Sequence, residues 1–384
     1  MKTLKDFDFN NKKVLVRCDF NVPLNEKGEI EDDFRIKKAV PTIKYLLKHK
    51  AKVILMSHLE DSEGNYLKLD KVRDKLTKLL NRQIKKTEDC IGKEAEKEVQ
   101  NMKQGEIILL ENLRFHNQEK ENDINFAKEL ARNKDIYIND AFSVSHRSHA
   151  SVSAVSRYLD SGIGFLMEKE LEALNRIIES PEKPFTAVIG GAKISTKAKV
   201  IKNFLEKADY ILLGGKVANT ILEARGVFHR KDDFLKEKEA IRDFDINSSK
   251  IYLPEDVLVS LDISGREGVL NKDVKEVKEN EFSLDIGKKT IDYYLKIIKD
   301  SKTIVWSGPM GLFENPLFEK GTKEIGLGII KNKRSYKVVG GGDTLFAVSK
   351  FGLIDDFSHV SGGGGAMLSF LANEELPGLK ALEK

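Results

Sequence analysis

The sequence predicts an α/β protein with two parallel-sheet domains, and three observations favour this fold class. The chain has 384 residues, which suggests two domains at roughly 150 residues each. Short apolar runs recur along it, each followed by a polar segment with helical spacing, as is typical of parallel strands joined by crossover helices. The residues that follow these runs change in character halfway along the chain, which indicates that the two domains bind different ligands.

The composition narrows the class of protein. Basic residues number 65 and acidic residues 61, and this balance gives no support for binding to nucleic acid or to an anionic membrane. Two cysteines, Cys18 and Cys90, are too few for a disulfide framework or a cysteine metal site, and each is predicted to be a buried small hydrophobe. The N-terminus lacks the apolar core of a signal peptide, and no apolar run approaches the ~18 residues of a membrane span. We therefore expect a soluble, cytoplasmic protein.

Polar and ionisable residues follow the predicted strands of the first half. The strands are KVLVR (13–17), KVILM (52–56), EIILL (106–110) and DIYI (135–138). Because ligands of open parallel sheets bind beyond the carboxyl ends of the strands, these polar residues should lie together. They suit a small, highly charged ligand, and they are Asp19, Asn21, Ser57, His58, Arg114, His146, Arg147 and His149.

Glycines follow the predicted strands of the second half. The strands span 185–189, 210–213, 303–306, 336–339 and 358–360, and the segments after them are GGAK, GGK, SGPMG, GGGDT and SGGGGA. Bare backbone N–H groups at helix N-termini suit phosphates, and glycine leaves room for a flat ring. Two domains with two such ligands indicate group transfer between them.

The junction between the domains is predicted within 157–180. Gly162 and Gly164 precede a long helical pattern that begins near Met167, and Pro181 and Pro184 follow its end. The C-terminal tail is too short to form a domain and should pack on one of the two.

Phosphoryl transfer needs cations and oriented N–H groups more than a nucleophilic side chain. Lys193 and Lys197 are four residues apart and would stack if a helix begins before Lys193. Asp343 opens a predicted helix, so it is either an N-cap or a ligand for Mg²⁺, and the sequence leaves both open. The first half supplies the candidate cations Arg35, His58, Arg114 and Arg147.

Motifs distributed over nearly the whole chain resemble those of phosphoglycerate kinases. They are RCDFNVPL, DDFRIKKAVPTI, ENLRFH, DAFSVSHRSHAS, GGAKISTK, VWSGPMGLFE, VVGGGDT and HVSGGGGAMLSFL. The resemblance implies two doubly wound parallel-sheet (Rossmann-like) domains joined by a hinge helix. Residues 1–164, with the tail 371–384, would bind phosphoglycerate, and residues 165–370 would bind the nucleotide. The implied activity is the phosphoryl transfer of glycolysis and gluconeogenesis, from 1,3-bisphosphoglycerate to Mg-ADP, giving 3-phosphoglycerate and Mg-ATP reversibly.

The resemblance also implies roles for individual residues. Arg35 and Lys193 would meet the transferring phosphoryl group from opposite sides, assisted by backbone N–H groups at Gly342, Gly364 and Gly365. Asp343 would hold the Mg²⁺ of the nucleotide. The implied phosphoglycerate site is Asp19, Asn21, Arg35, His58, Arg114 and Arg147. The implied nucleotide site is Lys197, Ser283, Glu314, Gly341, Gly342, Asp343 and Thr344.

The sequence departs from the family pattern at three places. Glu60 and Asp61 stand about where the family has glycine and a substrate-binding arginine, which replaces a cation by negative charge near an anionic ligand. We expect a weaker affinity for phosphoglycerate or an altered loop path. Ser307 replaces a common asparagine, and Ser283 replaces a usual glycine near the nucleotide base.

Two other functions fit the sequence less well. A nicotinamide-dependent oxidoreductase would need G-x-G-x-x-G after a strand, and the glycine turns lack that spacing. An RNA-binding protein would need a basic, aromatic-interleaved surface. The expected partners are therefore small-molecule substrates, with no nucleic acid and no membrane, and the expected state is a monomer.

Overall fold

The computed structural model describes residues 1–227 and 234–383 and divides the chain into two compact units. The first, called unit 1, contains Met1–Glu172 and the C-terminal segment from Glu375, and the second, unit 2, contains Ala173–Glu374. Both are α/β structures built on parallel sheets, which confirms the predicted fold class. In the described part of the chain, no helix is both long and apolar enough to span a membrane.

Unit 1 is a seven-stranded parallel sheet with the strand order β1-β7-β6-β2-β3-β5-β4. The strands are β1 Lys2–Thr3, β2 Lys13–Cys18, β3 Lys52–Met56, β4 Lys85–Lys86, β5 Ile107–Leu109, β6 Ile136–Asp140 and β7 Asp160–Ile163. The helices are α1 Phe34–Lys48, α2 Asp70–Leu80, α3 Gly92–Gln100, α4 Ile124–Ala131 and α5 Phe165–Glu179. The central strands are buried along nearly their whole length, as expected for a parallel sheet covered by helices on both faces.

Unit 2 contains a six-stranded parallel sheet and a smaller antiparallel sheet. Its strands are β8 Phe185–Ile189, β9 Tyr210–Leu213, β10 Ile251–Tyr252, β11 Asp256–Ser260, β12 Leu270–Asp273, β13 Phe282–Ile286, β14 Thr303–Ser307, β15 Tyr336–Gly340 and β16 His359–Ser361. Its helices are α6 Ala198–Lys207, α7 Gly215–Ala224, α8 Phe234–Ala240, α9 Lys288–Asp300, α10 Lys320–Lys331, α11 Gly342–Lys350 and α12 Gly365–Leu371, and α13 Pro377–Lys380 lies in unit 1.

The six-stranded sheet runs in the order β10-β9-β8-β14-β15-β16. Relative to chain order this is the 3-2-1-4-5-6 arrangement of dinucleotide-binding folds, which reverses direction between β8 and β14. The point of reversal leaves a crevice beyond the carboxyl ends of those two strands, and ligands of such sheets bind there. In unit 1, the corresponding reversal lies between β2 and β6.

The antiparallel sheet, β12-β11-β13, was not predicted from the sequence. Strand β12 reads LNKD and is mostly exposed, so it has no apolar alternation to identify it. The sheet has a small core of its own, in which Val257, Val259 and Val274 pack against Leu222 of α7. It therefore stands on the helix that follows β9 rather than extending the parallel sheet.

Candidate active site

Asp19 is the centre of a polar cluster just beyond β2 in unit 1. Its buried carboxylate accepts hydrogen bonds from Arg35 Nη1 at 2.9 Å and from Ser143 Oγ at 2.5 Å, and the Asn21 N–H donates to it at 3.1 Å. Ser143 follows β6, so residues beyond both strands at the reversal point meet here. Asp19 holds the Arg35 side chain by charge, while 39% of that side chain is exposed to solvent. Ser143 was not identified from the sequence.

His58 is buried beside a fully buried arginine that sequence reasoning missed. Arg17 Nη2 lies 3.1 Å from His58 Nδ1, and Arg17 Nε donates to Ser151 Oγ at 2.9 Å. Because a guanidinium can only donate, Nδ1 is the acceptor and the proton of neutral His58 is on Nε2. Burial lowers the pKa of His58 well below its usual value, and the charges of the surrounding arginines, Arg17, Arg114, Arg147 and Arg35, lower it further. His58 is thus a neutral hydrogen-bond donor in a positive field.

Arg114 is buried with unused hydrogen-bonding capacity. Only 2% of the residue is exposed, and its Nε and Nη2 atoms have no hydrogen-bond partner. Its Nη1 lies 3.5 Å from Glu60 Oε2. A buried guanidinium with unpaired N–H groups is costly unless an anion fills the gap, so the arrangement suits an anionic ligand.

The loop at Glu60 and Asp61 takes a defined path. The Glu60 N–H donates to Asn21 Oδ1 at 2.9 Å, and Asp61 accepts from the backbone N–H groups of Glu63 and Asn65. Asp61 therefore closes a tight local turn, while Glu60 places its charge against Arg114. The predicted addition of negative charge beside the cationic residues is present in the structure.

Arg147 differs from the other predicted cations because it is exposed. Its Nε lies 3.5 Å from His146 Nε2. His149 is buried, and its Nδ1 has no hydrogen-bond partner and lies 4.0 Å from Glu119. Burial, with the nearby arginine charges, lowers the pKa of His149 to about 3, so it is neutral at physiological pH. Unit 1 thus brings Arg35, His58, Arg114 and Arg147 together, although His58 is neutral rather than the predicted cation, and the structure adds Arg17 to this group.

Unit 2 contains a cavity of about 590 Å³ beyond the reversal point of its sheet. This volume is within the range of small-molecule sites. Ser283, Glu314 and Asp343, three of the residues predicted for the nucleotide, line it. The other lining residues are Gly191, Ala192, Gly215, Lys216, Asn219, Leu261, Ile263, Glu279, Asn280, Glu281, Phe282, Leu284, Pro309, Gly311 and Leu312. The antiparallel sheet and the chain segments next to its strands supply much of the apolar wall of this cavity.

The glycines after β8 and β14 pack against one another. A Cβ at Gly308, where φ is +97°, would lie 2.1 Å from the Gly190 carbonyl oxygen, and a Cβ at Gly190 would lie 2.1 Å from that of Pro309. Two adjacent strand ends can come this close only without side chains. Several glycines attributed to ligand approach therefore have a structural explanation within the fold.

The GGGDT segment divides its three glycines among different tasks. A Cβ at Gly340 would collide with Met367 of α12, and Gly341 is the N-cap of α11 with φ +101°. At Gly342 an added Cβ meets nothing within 4 Å, so this first residue of α11 leaves open space in front of the helix N-terminus. The Thr344 hydroxyl accepts from the Gly308 N–H at 2.6 Å and joins the segment to β14.

Asp343 does not cap its helix, which corrects one of the two sequence interpretations. The cap position belongs to Gly341, and no side chain makes a cap hydrogen bond there. Asp343 is exposed in the first turn of α11 and faces the cavity. Its carboxylate is favoured there by the helix dipole, and it is available to a ligand.

The condition for stacking of Lys193 and Lys197, a helix that begins before Lys193, is not met. A short 3-10 turn, Ile194–Thr196, separates them, and α6 begins only at Ala198. Lys193 is exposed, whereas Lys197 is buried and donates to Ser307 Oγ at 2.6 Å. Burial lowers the pKa of Lys197 to about 8, opposed by the charge of Asp343.

Two doubly wound units, one with converging arginines and the other with a nucleotide-sized cavity at its sheet reversal, define an α/β enzyme that acts on charged small molecules. The sequence profile of the family described as phosphoglycerate kinase matches residues 4–374. The chain is 45% identical to the phosphoglycerate kinase of Dictyoglomus turgidum over 99% of its length and 98% of that protein, and 44% identical to that of Moorella thermoacetica with the same coverage.

Solved structures agree with these relatives. The phosphoglycerate kinase of Pyrococcus horikoshii superposes with a TM-score of 0.88 at 36% identity, covering 100% of this chain and 98% of that one. The enzyme of Coxiella burnetii gives a TM-score of 0.85 at 36% identity, covering 99% and 98%. The chain belongs to the phosphoglycerate kinase family. It is accordingly a glycolytic phosphotransferase with a carboxyl group as acceptor and ATP or ADP as co-substrate.

Proposed function

We propose that the protein transfers a phosphoryl group reversibly between 1,3-bisphosphoglycerate and Mg-ADP, giving 3-phosphoglycerate and Mg-ATP, with unit 1 binding the phosphoglycerate and unit 2 the nucleotide. The observation that carries this division is the unsatisfied Arg114 guanidinium in unit 1, set among other cations. The cavity of unit 2 contrasts with it, because much of its wall is apolar.

In unit 1, the phosphoglycerate would be bound by side chains that are already held in place. His58 Nε2–H and the free N–H groups of Arg114 would donate to its phosphate or carboxylate oxygens, with Arg147 at the exposed edge. Asp19 and Asn21 have a different role. The Asp19 carboxylate orients Arg35, and the Asn21 side-chain oxygen accepts from the Glu60 N–H and so orients the Glu60 loop. Asp19 also accepts hydrogen bonds, so it could bind a hydroxyl group of the substrate.

In unit 2, the nucleotide base would lie against the apolar wall that includes Phe282 and Leu284, near Ser283. Glu314 would accept hydrogen bonds from the ribose hydroxyls. The phosphates would lie toward the N-terminus of α11, where Gly341 and Gly342 leave the backbone accessible and Lys197 and Thr344 lie close by.

The residues around Asp343 fit a nucleotide-borne Mg²⁺. Mg²⁺ binds through one or two carboxylates together with substrate phosphates, and Asp343 offers an exposed carboxylate on the wall of the cavity. Bound there, the ion would neutralise phosphate charge. The protein would then determine where the ion lies, because α11 holds the Asp343 carboxylate in place.

The transferring phosphoryl group would be stabilised by cations and N–H groups from both units. We assign Arg35 to the unit 1 side and Lys193 to the unit 2 side, because both side chains are charged and accessible to solvent. Backbone N–H groups at Gly342, Gly364 and Gly365 would face the same oxygens. The acceptor is already an anion, so no general base is required.

Transfer requires the two substrates to meet without water, because an acyl phosphate hydrolyses readily. We propose that α5, whose residues are divided between the two units, is the hinge for a closing motion. We expect the enzyme to work as a cytoplasmic monomer on these small molecules, without nucleic acid or membrane.

The activity can be tested directly. The purified protein would be given 3-phosphoglycerate, ATP and Mg²⁺, and acyl phosphate formation would be followed by coupled NADH oxidation. Steady turnover is expected. No turnover from a protein with intact cooperative unfolding would refute the proposed reaction.

A further inference from the structure

Asp89, Cys90 and His116 form a cluster in unit 1 that has no part in the proposed phosphoryl transfer. One donor atom from each residue, a carboxylate oxygen, a thiol sulfur and an imidazole nitrogen, lies within 4.8 Å of the others. We propose that these three residues bind a borderline-soft divalent cation of the Zn²⁺ class. This proposal is independent of the reaction assigned above.

The spacing of the donor atoms suits such an ion. Zn²⁺ binds sulfur at about 2.3 Å and nitrogen or oxygen at about 2.0–2.2 Å, usually with tetrahedral geometry, which places ligand atoms roughly 3.3–3.8 Å apart. His116 Nε2 now lies 2.6 Å from Asp89 Oδ1, and this pair would separate slightly to admit the ion. Side-chain rotations that move the donor atoms by about an ångström would complete the site, with water in the fourth position.

The backbone around the cluster is fixed by local contacts. Asp89 and Cys90 lie just before Ile91, the N-cap residue of α3, and the Thr87 hydroxyl donates to the Asp89 carbonyl oxygen at 2.6 Å. His116 closes the 3-10 turn Leu113–Phe115, and its ring stacks 5.2 Å from that of Phe126. The donor residues therefore come from two rigid segments that need no rearrangement of the chain.

The cluster is accessible to an ion from solvent. Cys90 is buried, but half of the Asp89 side chain and about a quarter of the His116 side chain are exposed, which gives an ion a route from solvent. Burial and the Asp89 charge raise the pKa of the Cys90 thiol, so an ion must displace its proton.

The donor set discriminates against the magnesium that accompanies the nucleotide. Mg²⁺ and Ca²⁺ prefer oxygen ligands, whereas a thiolate and an imidazole select Zn²⁺, Co²⁺ and their neighbours. The sequence did not reveal the site because cysteine spacing alone indicates metal centres built from several cysteines. Here Asp89 and Cys90 are adjacent, but His116 reaches them only through the fold.

Cobalt binding to the full-length protein tests the proposal. After chelator treatment, the protein would be titrated with Co²⁺ in excess Mg²⁺ while its absorption spectrum is recorded. We expect one equivalent to produce a thiolate-to-cobalt charge-transfer band with the strong visible bands of tetrahedral cobalt, and one equivalent of Zn²⁺ to abolish both. Absence of the charge-transfer band would overturn the proposal.

Three variants locate the site. Cys90→Ser should lose the charge-transfer band. His116→Gln should weaken cobalt binding at least about tenfold, because loss of a contact that supports a ligand already costs about that much, and loss of the ligand itself costs more. Cys18→Ser is the matched control, because Cys18 is the other buried free cysteine, and it should retain the wild-type spectrum. A band that persists in Cys90→Ser or disappears in Cys18→Ser would contradict the assignment.

Thermal unfolding provides a second readout that does not depend on the cysteine substitution. Zn²⁺ stabilises any state that binds it, so it should raise the Tm of the wild type but not that of His116→Gln. An equal shift in both proteins would show binding elsewhere and refute the proposal.

Discussion

The candidate site of unit 1 is built from side chains, whereas the part of the unit 2 site at the strand ends and the start of α11 is built largely from backbone. In unit 1, Asp19 holds Arg35 and Arg17 holds His58, so each of these two candidate binding groups has a buried side chain behind it. In unit 2, glycine turns pack on each other, and the open edge is the start of α11. The difference teaches that the first site should be sensitive to removing side chains and the second to adding them.

The largest effect is expected at the exposed lysine of unit 2, which is an exception to this contrast. Lys193→Ala should lower turnover by roughly 100- to 1,000-fold, as measured for the loss of one charge-stabilising donor. Ground-state affinity for both substrates should change much less, because the lysine would act on the transferring group. Steady-state kinetics with separate binding measurements would check this. If Lys193→Ala weakened substrate binding as much as it slowed turnover, the assignment of Lys193 to the transition state would be wrong.

Arg35→Ala is the matching change in unit 1. Arg35→Ala should also slow turnover, but here some loss of phosphoglycerate affinity is expected, since we assign Arg35 to the phosphoglycerate site as well.

The second effect concerns adding a methyl group to a glycine. Gly308→Ala should reduce the free energy of unfolding by more than about 2 kcal/mol, because the new Cβ meets a backbone carbonyl at a positive φ. Gly342→Ala should leave the free energy of unfolding nearly unchanged, since its Cβ meets nothing, but should weaken nucleotide binding. Chemical denaturation and ADP titration would measure the two quantities.

These two alanine variants serve as controls for each other. Unimpaired ADP binding by Gly342→Ala would indicate that no phosphate approaches the start of α11. Unaltered stability of Gly308→Ala would show that the turns after β8 and β14 can separate without cost.

The third effect is a pH dependence of nucleotide binding, which we expect from Lys197 in unit 2. Lys197 has a pKa lowered to about 8 by burial, below the ~10.4 of an unfolded lysine. Between these values the unfolded chain binds more protons, so this residue makes stability rise with pH through that window. Affinity for ADP should fall over the same range, because the ammonium loses its charge.

Calorimetric titration with ADP from pH 7 to 9.5 would measure this loss. Lys197→Met, which keeps the length but not the charge, should bind ADP more weakly and show a flatter profile. If the profiles of the wild type and this variant run parallel, another group causes the pH dependence.

The smallest effect is expected at Glu60 and Asp61, which place negative charge beside the cations of unit 1. Replacing Glu60 by Gly and Asp61 by Arg should lower the KM for 3-phosphoglycerate roughly 2- to 5-fold, the scale of one partly exposed ion pair. Glu60→Gln separates charge from loop path, because it removes only the carboxylate that faces Arg114. An equal or higher KM in the double variant would refute the electrostatic explanation.

The sequence predicted most of the parallel framework because its strands are nearly continuous apolar runs. KVILM, FTAVI and YILL were placed with the boundaries that the structure has. It did not predict the antiparallel sheet. LNKD of β12 carries no hydrophobic pattern, and DVLVS of β11, which is apolar, pairs with β12 and β13 only across 10 or more residues of the chain. Long-range pairing of weakly patterned strands depends on packing that only the fold supplies.

The sequence located the charged residues of the candidate site more readily than it explained the glycines. Arg114 and His58 could be predicted because polar groups at the ends of apolar strands are conspicuous. Gly190 and Gly308 carry the same signal as Gly342, although they hold the fold together and Gly342 leaves open space. Arg17 was missed because an arginine within a strand looks like a surface residue until the neighbouring helices cover it.

The antiparallel sheet makes part of unit 2 an interchangeable module. Residues 279–284 form one wall of the cavity, while the turns after β8 and β14 belong to a different sheet. With the nucleotide placed as proposed, a designer could graft a new segment onto β13 to change which nucleobase is accepted, and leave the proposed phosphate end of the cavity untouched. Natural selection has the same freedom, so this strand is where relatives with altered nucleotide preference should diverge first.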